Sequence, residues 1–196
     1  MIGLITNDGI SDGGNKIFYA YQNFFKLGLD IYLIPLTNLE DVKKKITKCR
    51  GIIMQGGDDF LPIHKKIIKY LYDNNIPLLA ICMSMQAMGA LFDGEIDYIN
   101  NHQSKDRYVH CITIKEDSLL YNILKKRCIF VNSSHKQFVA KTSLEVSGIS
   151  DCIEAIEDKS KKFFLGVQWH PEKMVDYDLD QMKIFEYFKG VCNGFK

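Results

Sequence analysis

The sequence predicts an α/β fold: a flavodoxin-like, doubly wound and mostly parallel sheet with helices on both faces. Short apolar runs alternate with helical patterns four times in the first 91 residues. The runs are apolar almost throughout, as strands buried on both faces are. Two of them end in glycine-rich turns. Repeated strand–helix units favour parallel strands with right-handed crossovers, and such sheets bind ligands at the carboxyl ends of their strands.

The N-terminal half supplies the four strand–helix units. Strands are predicted at Ile2–Thr6, Ile31–Pro35, 51–55 and 76–82. The helices that follow them are predicted at 16–27, from 38 to about 48, at 62–72 and at Met83–Leu91. Gly28 suits the end of the first helix and Asn38 the start of the second, because glycine tolerates a left-handed backbone and asparagine accepts hydrogen bonds from free N–H groups. Residues 7–15 are predicted to form a loop beside residues 56–59 and 82 at the ligand edge of the sheet.

After Gly94 the pattern changes to short strand-like runs separated by polar turns. These runs are His110–Ile114, Cys128–Val131, 144–149, 152–156 and 163–169. The last portion, residues 179–188, is predicted to be an amphipathic helix. Its inward-facing residues are predicted to be Met182, Phe185, Tyr187 and Phe188. The sequence has no internal repeat or interdomain linker, so a single domain over residues 1–196 is expected.

Composition narrows the class of partner. Lysine and arginine number 25 against 24 acidic residues, for a formal net charge of +1. This balance gives no support for nucleic acid or an anionic membrane as the main partner. The N-terminus has no basic leader, and no apolar stretch approaches the ~20 residues of a membrane helix. We therefore expect a cytoplasmic protein with a small-molecule substrate, no nucleic acid and no membrane, and with its oligomeric state open.

The six cysteines are scattered along the chain. They are Cys49, Cys82, Cys111, Cys128, Cys152 and Cys192. The sequence contains no Cys-x-x-Cys pair and no metal-ligand spacing. We therefore expect neither structural zinc nor a disulfide framework, no metal or other cofactor, and reduced thiols.

Cys82 lies where the fourth predicted strand meets its helix. A sharp turn at that point projects one side chain above the carboxyl edge of the sheet, towards the first free N–H groups of the helix. These groups and the helix dipole favour negative charge on a thiolate or on a nearby oxyanion. A cysteine flanked by apolar residues is also typical of a protein core, so this position needs support from the rest of the chain.

That support comes from residues 166–172, with the sequence GVQWHPE. His170 and Glu172 are two positions apart, and in extended backbone such residues face the same way. An imidazole beside a carboxylate is what a cysteine hydrolase needs. The histidine takes the thiol proton and later protonates the leaving nitrogen, while the carboxylate fixes the tautomer.

Cys82 and His170 belong to two of four blocks that occur in the order of a known family. The blocks are GIIMQGGDD (51–59), IPLLAICMSMQ (76–86), VNSSHKQ (131–137) and GVQWHPE (166–172). In these blocks the chain resembles the class I glutamine amidotransferase-type enzymes. It is most similar to the branch of γ-glutamyl hydrolases, peptidase family C26, that includes γ-glutamyl-γ-aminobutyrate hydrolase.

The resemblance implies a role for each matching residue. Cys82 would be the nucleophile, His170 the general base and Glu172 its orienting partner. The backbone N–H groups of Gly57 and Met83 would form the oxyanion hole. The residues implied to hold the glutamyl end of the substrate are Gln86, Ser133, Ser134 and His135. For this last group, hydrogen bonds that only fix a loop remain the alternative.

The chain departs from the family at the turn that carries the cysteine. The family usually has Gly-x-Cys-x-Gly, whereas this sequence has Ala80 and Ser84 in place of the glycines. Both replacements are small, so close packing of strand and helix remains feasible. A side chain at position 84 could narrow the pocket or slow the reaction.

The resemblance implies hydrolysis of a γ-glutamyl amide with release of glutamate. Implied substrates include γ-glutamyl-γ-aminobutyrate and a γ-glutamyl nucleotide conjugate such as γ-glutamyl-CDP-amidate. The loop at 7–15 and the segment 100–108 are the expected sites of leaving-group recognition, with His102, Lys105 and Arg107 as candidate contacts for an anionic group. Two alternatives stay open: a glutaminase subunit that passes ammonia to a separate synthetase, and an inactive binding module on the same fold.

Overall fold

The fold is described from a computed structural model, over residues 1–6, 24–100 and 102–194. In chain order the strands are β1 Ile2–Thr6, β2 Ile31–Pro35, β3 Ile52–Met54, β4 Leu78–Ile81, β5 Glu95–Tyr98, β6 His110–Ile114, β7 Cys128–Val131, β8 Gln137–Lys141, β9 Glu145–Ile149, β10 Ile153–Glu157 and β11 Phe164–Val167. The helices are α1 Leu39–Ile46, α2 Pro62–Asp73, α3 Met83–Leu91, α4 Leu119–Leu124 and α5 Leu179–Cys192, with a single 3₁₀ turn at Pro171–Lys173.

The described strands form one mixed sheet. Along it the strand order is β2-β1-β3-β4-β11-β10-β9-β6-β7, with β8 joined to β10 and β5 joined to β8. The pairs from β2 to β11 are parallel, and those beyond β11 are antiparallel. The parallel half contains the predicted doubly wound unit. Its strand β11 returns from the far end of the chain to lie beside β4.

Two hydrophobic cores lie on the two faces of this sheet. Alternate residues of β4 belong to different cores, with Leu79 and Ile81 in one and Leu78 and Ala80 in the other. Because side chains alternate across a strand, the two cores face opposite ways. Helices α4 and α5 supply the first core, and α1, α2 and α3 the second. The predicted layers, with helices on both faces, are confirmed.

Local signals explain where several helices begin. The Asn38 side chain accepts a hydrogen bond from the Asp41 N–H at 3.0 Å, as predicted for the start of α1. Pro62 opens α2, where its missing N–H costs nothing. Ser118 caps α4 in the same way as Asn38 caps α1. Gly28 has φ +59°, the left-handed conformation expected after a helix.

The predicted helix at 16–27 lies largely outside the described residues, and the predicted loop at 7–15 lies wholly outside them.

Most predicted elements are present, with ends displaced by one or two residues. The final helix is four residues longer than predicted. Phe185 and Phe188 are buried as predicted, and Ile184 continues their stripe, whereas Tyr187 was expected to face inwards but is 42% exposed. The sequence did not predict β5, β8 or α4. The first two pair mainly with one another and are partly exposed, and α4 has only six residues.

The expectation that all thiols are reduced is wrong for one pair. Cys111 on β6 and Cys128 on β7 form a disulfide with a Cα–Cα distance of 6.4 Å. The two strands are antiparallel neighbours, with Cys111 opposite Phe130 and Cys128 opposite Thr113, so the cysteines are diagonal neighbours. Seventeen positions separate them in the sequence, and this spacing matches no short motif.

Within the described residues, no helix combines the length and the apolar character needed to cross a membrane.

Candidate active site

Cys82 occupies a strained turn between β4 and α3. Its backbone has φ 51° and ψ −112°, outside the regions that non-glycine residues normally adopt. The turn is held on both sides: the Cys82 N–H donates to the Val167 carbonyl at 2.7 Å, and the Gln86 N–H donates to the Cys82 carbonyl at 3.1 Å. Strain of this kind is typical of the strand–turn–helix elbow that presents a nucleophile. Met83, the first residue of α3, offers a backbone N–H that has no acceptor within the helix.

Strand β11 brings His170 to the same edge. Val167 pairs with Ile81, so the chain beyond β11 emerges beside the Cys82 elbow. His170 Nδ1 lies 2.7 Å from Glu172 Oε1. A point at the ideal Cβ position of Gly56 would lie 3.1 Å from Cys82 Cβ and 3.4 Å from His170 Nε2, so these two side chains meet over that glycine. The structure thus brings Cys82, His170 and Glu172 together, although the turn that carries Cys82 and the one that carries His170 and Glu172 are far apart in the sequence.

The electrostatic environment favours a charged imidazole. Burial lowers the pKa of His170, but the negative charges of Glu172 and Cys82, and hydrogen bonds with both side chains, raise this pKa to about 10. His170 is 8% exposed and Glu172 is 6% exposed, so water screens these interactions little. An imidazolium held between a carboxylate and a sulfur can give its proton to a leaving group.

Two residues at the site had no predicted role. Gly56 leaves space for the imidazole, because a Cβ there would lie 2.6 Å from His170 Cε1. Asn132 fixes the backbone of His170: its Nδ2 donates to the His170 carbonyl at 2.9 Å, and its Oδ1 accepts from the His170 N–H at 2.9 Å. Both residues lie in blocks that carried the resemblance, GIIMQGGDD and VNSSHKQ. Their positions in those blocks could have been used to predict that they belong to the site.

The elbow replacements have clear structural surroundings. Ala80 is fully buried in β4 between Met54 and Gly166 of the neighbouring strands. The Ser84 hydroxyl donates to the Gln55 carbonyl at 2.7 Å. This bond ties the first turn of α3 to the end of β3, immediately before Gly56. Ser84 is buried and lies outside the set of residues that line the cavity described next.

A cavity of about 480 Å³ opens in front of Cys82. It is lined by Gly57, Asp58, Asp59, Cys82, Gln86, Tyr98, Gln103, Ser134, His135, Lys136 and Gln137. The volume is in the range of small-molecule sites. Gln86 reaches the cavity from α3, and its Nε2 donates to the Gln137 carbonyl at 2.7 Å and to Gln168 Oε1 at 3.2 Å. The Gln168 Nε2 in turn lies 3.6 Å from the Cys82 sulfur.

The remaining predicted binding residues divide into two groups. Ser134 and His135 line the cavity, whereas the Ser133 hydroxyl is buried and donates to the His102 carbonyl. His102, predicted as a candidate contact for an anionic group, is only 8% exposed, because its ring packs against two other histidines. Arg107 lies over the Tyr177 ring at 4.8 Å. The exposed Lys105 has no described contact with the site.

Fold and site together define a class I glutamine amidotransferase-like protein. The chain belongs to the peptidase C26 family, whose sequence profile matches residues 63–172. It is 32% identical over 174 residues to a Schizosaccharomyces pombe protein named as a glutamine amidotransferase, covering 70% of this chain and 68% of that one. In an alignment of 213 positions it is 25% identical to the glutamine amidotransferase-like protein YvdE of Lactococcus lactis, and the alignment covers 89% of each chain.

Other similarities involve parts of larger enzymes. A GMP synthase of Clostridium botulinum is 28% identical over 167 residues, which are 82% of this chain but 31% of that enzyme. Among solved structures, the glutaminase domain of Trypanosoma brucei CTPS aligns with a TM-score of 0.71 at 18% identity, over 100% of this chain and 94% of that one. A Thermoplasma acidophilum protein described as a GMP synthase subunit aligns with a TM-score of 0.75 at 18% identity, over 98% and 94%. These structural matches support the fold.

Proposed function

We propose that this protein hydrolyses a γ-glutamyl amide through covalent catalysis by Cys82. The observation that carries the proposal is the convergence of the strained Cys82 elbow with the hydrogen-bonded pair of His170 and Glu172. Membership of the peptidase C26 family supports the same class of reaction. The cysteine supplies the nucleophile, and the histidine supplies and accepts the protons.

In the proposed reaction the Cys82 sulfur attacks the γ-carbonyl carbon of the substrate. The carbonyl oxygen becomes an oxyanion that the N–H groups of Gly57 and Met83 stabilise. His170 then gives a proton to the leaving nitrogen, the C–N bond breaks, and a glutamyl thioester remains on the sulfur. Water attacks the thioester with His170 as base, the C–S bond breaks, and glutamate leaves. Glu172 holds the imidazole in position throughout.

The cavity suits the amino-acid end of a γ-glutamyl group. Its lining contains two carboxylates, Asp58 and Asp59, and one ammonium, Lys136. A free α-amino acid carries one charge of each sign, so both of its charges can find an opposite partner there. The buried amide of Gln86 lines the same cavity as the charged residues and Cys82.

A second cavity extends the site on the leaving-group side. Its volume is about 330 Å³, and it shares Tyr98, Gln103 and Lys136 with the first. We assign this space to the amine portion of the substrate. Lys136 lines both cavities, so its ammonium can pair with the α-carboxylate of the glutamyl group and also with an anionic group of the leaving amine, such as a carboxylate or a phosphate.

The test is a panel of γ-glutamyl amides with neutral and anionic amine portions, read by glutamate release. The wild type is expected to cleave at least one anionic member of the panel, and Cys82→Ala is expected to cleave none. Cys192→Ala is the control: it removes a buried cysteine on α5 that does not line the cavity, and it should be as active as the wild type. Labelling by a glutamine-like diazoketone should add one adduct, on the peptide that contains Cys82. Full activity in Cys82→Ala, or failure of the wild type both to cleave and to label, would overturn the proposal.

The similarity to GMP synthase favours a second candidate. As a glutaminase subunit the chain would use the same three residues on glutamine and deliver ammonia to a separate synthetase. It would then release little glutamate from glutamine alone and much more after addition of cell extract. Cleavage of γ-glutamyl amides at an equal rate with and without extract supports the free-standing hydrolase.

A further inference from the structure

We propose that His102, His135, Cys152 and Glu154 bind one transition-metal ion of the zinc class, in a site separate from Cys82. The donor atoms of the four side chains all lie within 4.8 Å of one another. All four residues are buried, with His102 the most exposed at 8%. They come from different parts of the fold: Glu154 from β10, Cys152 from the turn before it, and the histidines from the segments that follow β5 and β7.

The donor set matches the chemistry of zinc. Two imidazole nitrogens, a thiolate and a carboxylate are ligands that zinc accepts in tetrahedral sites, with bonds of about 2.0–2.3 Å. Bonds of that length place neighbouring donors roughly 3.3–3.8 Å apart. The widest donor separation therefore has to close by about 1 Å, which small side-chain rotations can supply.

Several buried atoms of the cluster lack partners that a metal would provide. His102 Nδ1, His135 Nε2 and Glu154 Oε2 have no hydrogen-bond partner among the described residues. His135 is also oriented as a ligand: its Nδ1 lies 3.0 Å from the Gln137 carbonyl, to which it donates. Its Nε2 therefore carries the lone pair. Ligating histidines commonly donate their other ring N–H to a backbone carbonyl in this way.

Charge balance gives an independent reason. Glu154 is fully buried, and within the described chain its ion-pair partners are the histidines His110 and His135, with no lysine or arginine. A buried carboxylate without a fixed cation is costly. A divalent ion bound by one carboxylate, one thiolate and two neutral imidazoles forms a neutral group. The proton lost from Cys152 on binding passes to solvent.

Neighbouring groups complete the surroundings of the site. His110 Nε2 lies 2.9 Å from Glu154 Oε1, and the Ser150 hydroxyl donates to the same oxygen at 3.0 Å. These contacts leave Oε2 as the carboxylate oxygen for the metal. His102 lines the 330 Å³ cavity, which provides a route from solvent.

The position of the site suggests its role. His135 lines the cavity in front of Cys82, and its backbone N–H donates to the His102 carbonyl at 3.2 Å. A metal bound by both histidines would hold together the two segments that form this wall of the cavity. We therefore assign the ion a structural role in supporting the substrate pocket.

The experiment measures metal content and a spectroscopic signature of the full chain. After purification without chelator and dialysis against zinc, we expect about one zinc per chain. Replacement by Co²⁺ should give the d–d bands of a tetrahedral site and a thiolate-to-cobalt charge-transfer band. Cys152→Ser should remove the charge-transfer band, and His102→Gln and Glu154→Gln should each weaken zinc binding at least 10-fold.

Matched controls identify the thiol. Cys192→Ser removes another buried free cysteine, and Cys82→Ala removes the elbow cysteine. A Cys111→Ser, Cys128→Ser double variant excludes the thiols of the disulfide. All three controls should retain one zinc and the charge-transfer band. Circular dichroism of each variant shows that it is folded, and zinc should raise the Tm of the wild type but not that of folded Cys152→Ser.

Substoichiometric zinc in the folded wild type, with no cobalt spectrum, would overturn the proposal. So would an unchanged cobalt spectrum in Cys152→Ser. In the first case the cluster would be a buried network of histidines and a carboxylate that binds no metal ion. The readouts are independent of catalysis, so this test and the test of the proposed function can fail separately.

Discussion

Glu172 Oε1 lies 2.7 Å from His170 Nδ1, and both side chains are almost fully buried. Pro171 and the 3₁₀ turn that it opens hold the two residues in this relation. The contact leaves His170 Nε2 directed to the space above Gly56, where Cys82 also lies. The carboxylate therefore decides which imidazole nitrogen faces the sulfur.

Replacing Glu172 by glutamine should reduce kcat for γ-glutamyl amide hydrolysis by roughly 10³–10⁴-fold, because the imidazole loses its fixed tautomer and its counter-charge. KM should change little, since Glu172 does not line the cavity. Steady-state kinetics on the best substrate of the panel measures both values. Glu186→Gln, on the exposed face of α5, is the matched control and should behave as wild type. A kcat of Glu172→Gln within threefold of wild type would contradict the role of this contact.

The pKa of His170 makes stability depend on pH. In the folded protein this pKa is raised from 6.5 to about 10. Between these values the folded state binds more protons than the unfolded state, so the free energy of unfolding falls as pH rises. The contribution is complete below about 6.5 and is lost as pH approaches about 10.

Urea unfolding across this window measures the effect, with His170→Gln as the comparison. The wild type should lose more stability with rising pH than the variant, because all other titrating groups are shared. Parallel stability curves for the two proteins would show that His170 is not stabilised as the imidazolium.

The parallel half of the fold was predictable because its strands are buried on both faces. Runs such as Leu78–Ile81 are apolar throughout, and no polar residue interrupts the signal. Strands β5 and β8 carry no such signal. Glu95–Tyr98 is mostly exposed and, among the described strands, pairs with β8, so tertiary contact makes it a strand.

The site was predictable only as far as its motifs extended. Cys82, His170 and Glu172 could be predicted from the sequence, because they lie in short blocks that resemble those of the family. The hydrogen bonds of Asn132 to the His170 backbone span 38 positions, and no local pattern reports them. The same limit explains why the sequence did not predict the disulfide, since Cys111 and Cys128 are brought together by sheet pairing in the antiparallel half. The residues of the proposed metal site also come from segments that are far apart in the sequence, and most of them lie between strands.

Ser84→Ala should lower the free energy of unfolding by about 1 kcal/mol, because it removes a buried hydrogen bond from the hydroxyl to the Gln55 carbonyl. Urea unfolding measures this difference. Ser143→Ala is the control: its hydroxyl also donates to a carbonyl, that of Phe92, but at an exposed position, and it should change stability by less than about 0.5 kcal/mol. A loss of less than about 0.5 kcal/mol in Ser84→Ala, no larger than that expected of the control, would show that the elbow gains little from this hydrogen bond.

Asn132→Ala should lower kcat roughly 10²-fold, since the His170 backbone loses two hydrogen bonds and the imidazole moves from its position. Asn132→Asp keeps the acceptor for the His170 N–H and loses the donor to the carbonyl, so its kcat should lie between those of alanine and wild type. Asn122→Ala, at an exposed position on α4, should be neutral. Asn132 is a positioning residue, and a fall in affinity with unchanged kcat would contradict that assignment.

Gly56→Ala tests the space that Cys82 and His170 share. The new Cβ would lie 2.6 Å from His170 Cε1 and 3.1 Å from Cys82 Cβ, so the imidazole must move. A displacement near 1 Å costs about 10² in rate, and we expect kcat to fall by at least that factor. Labelling of Cys82 by the diazoketone should slow as well, because in the proposed mechanism the same imidazole activates the sulfur.

Gly28→Ala separates this effect from a general loss of stability. Nothing lies within 4 Å of a Cβ at Gly28, but the backbone there has φ +59°, so alanine should cost about 1 kcal/mol of stability without changing kcat. Kinetics for both variants are compared at a temperature where circular dichroism shows each to be folded. Gly56→Ala could instead behave as expected of Gly28→Ala, with lower stability and an unchanged kcat. The imidazole would then not need the space above Gly56, and the arrangement of Cys82 and His170 proposed for catalysis would be wrong.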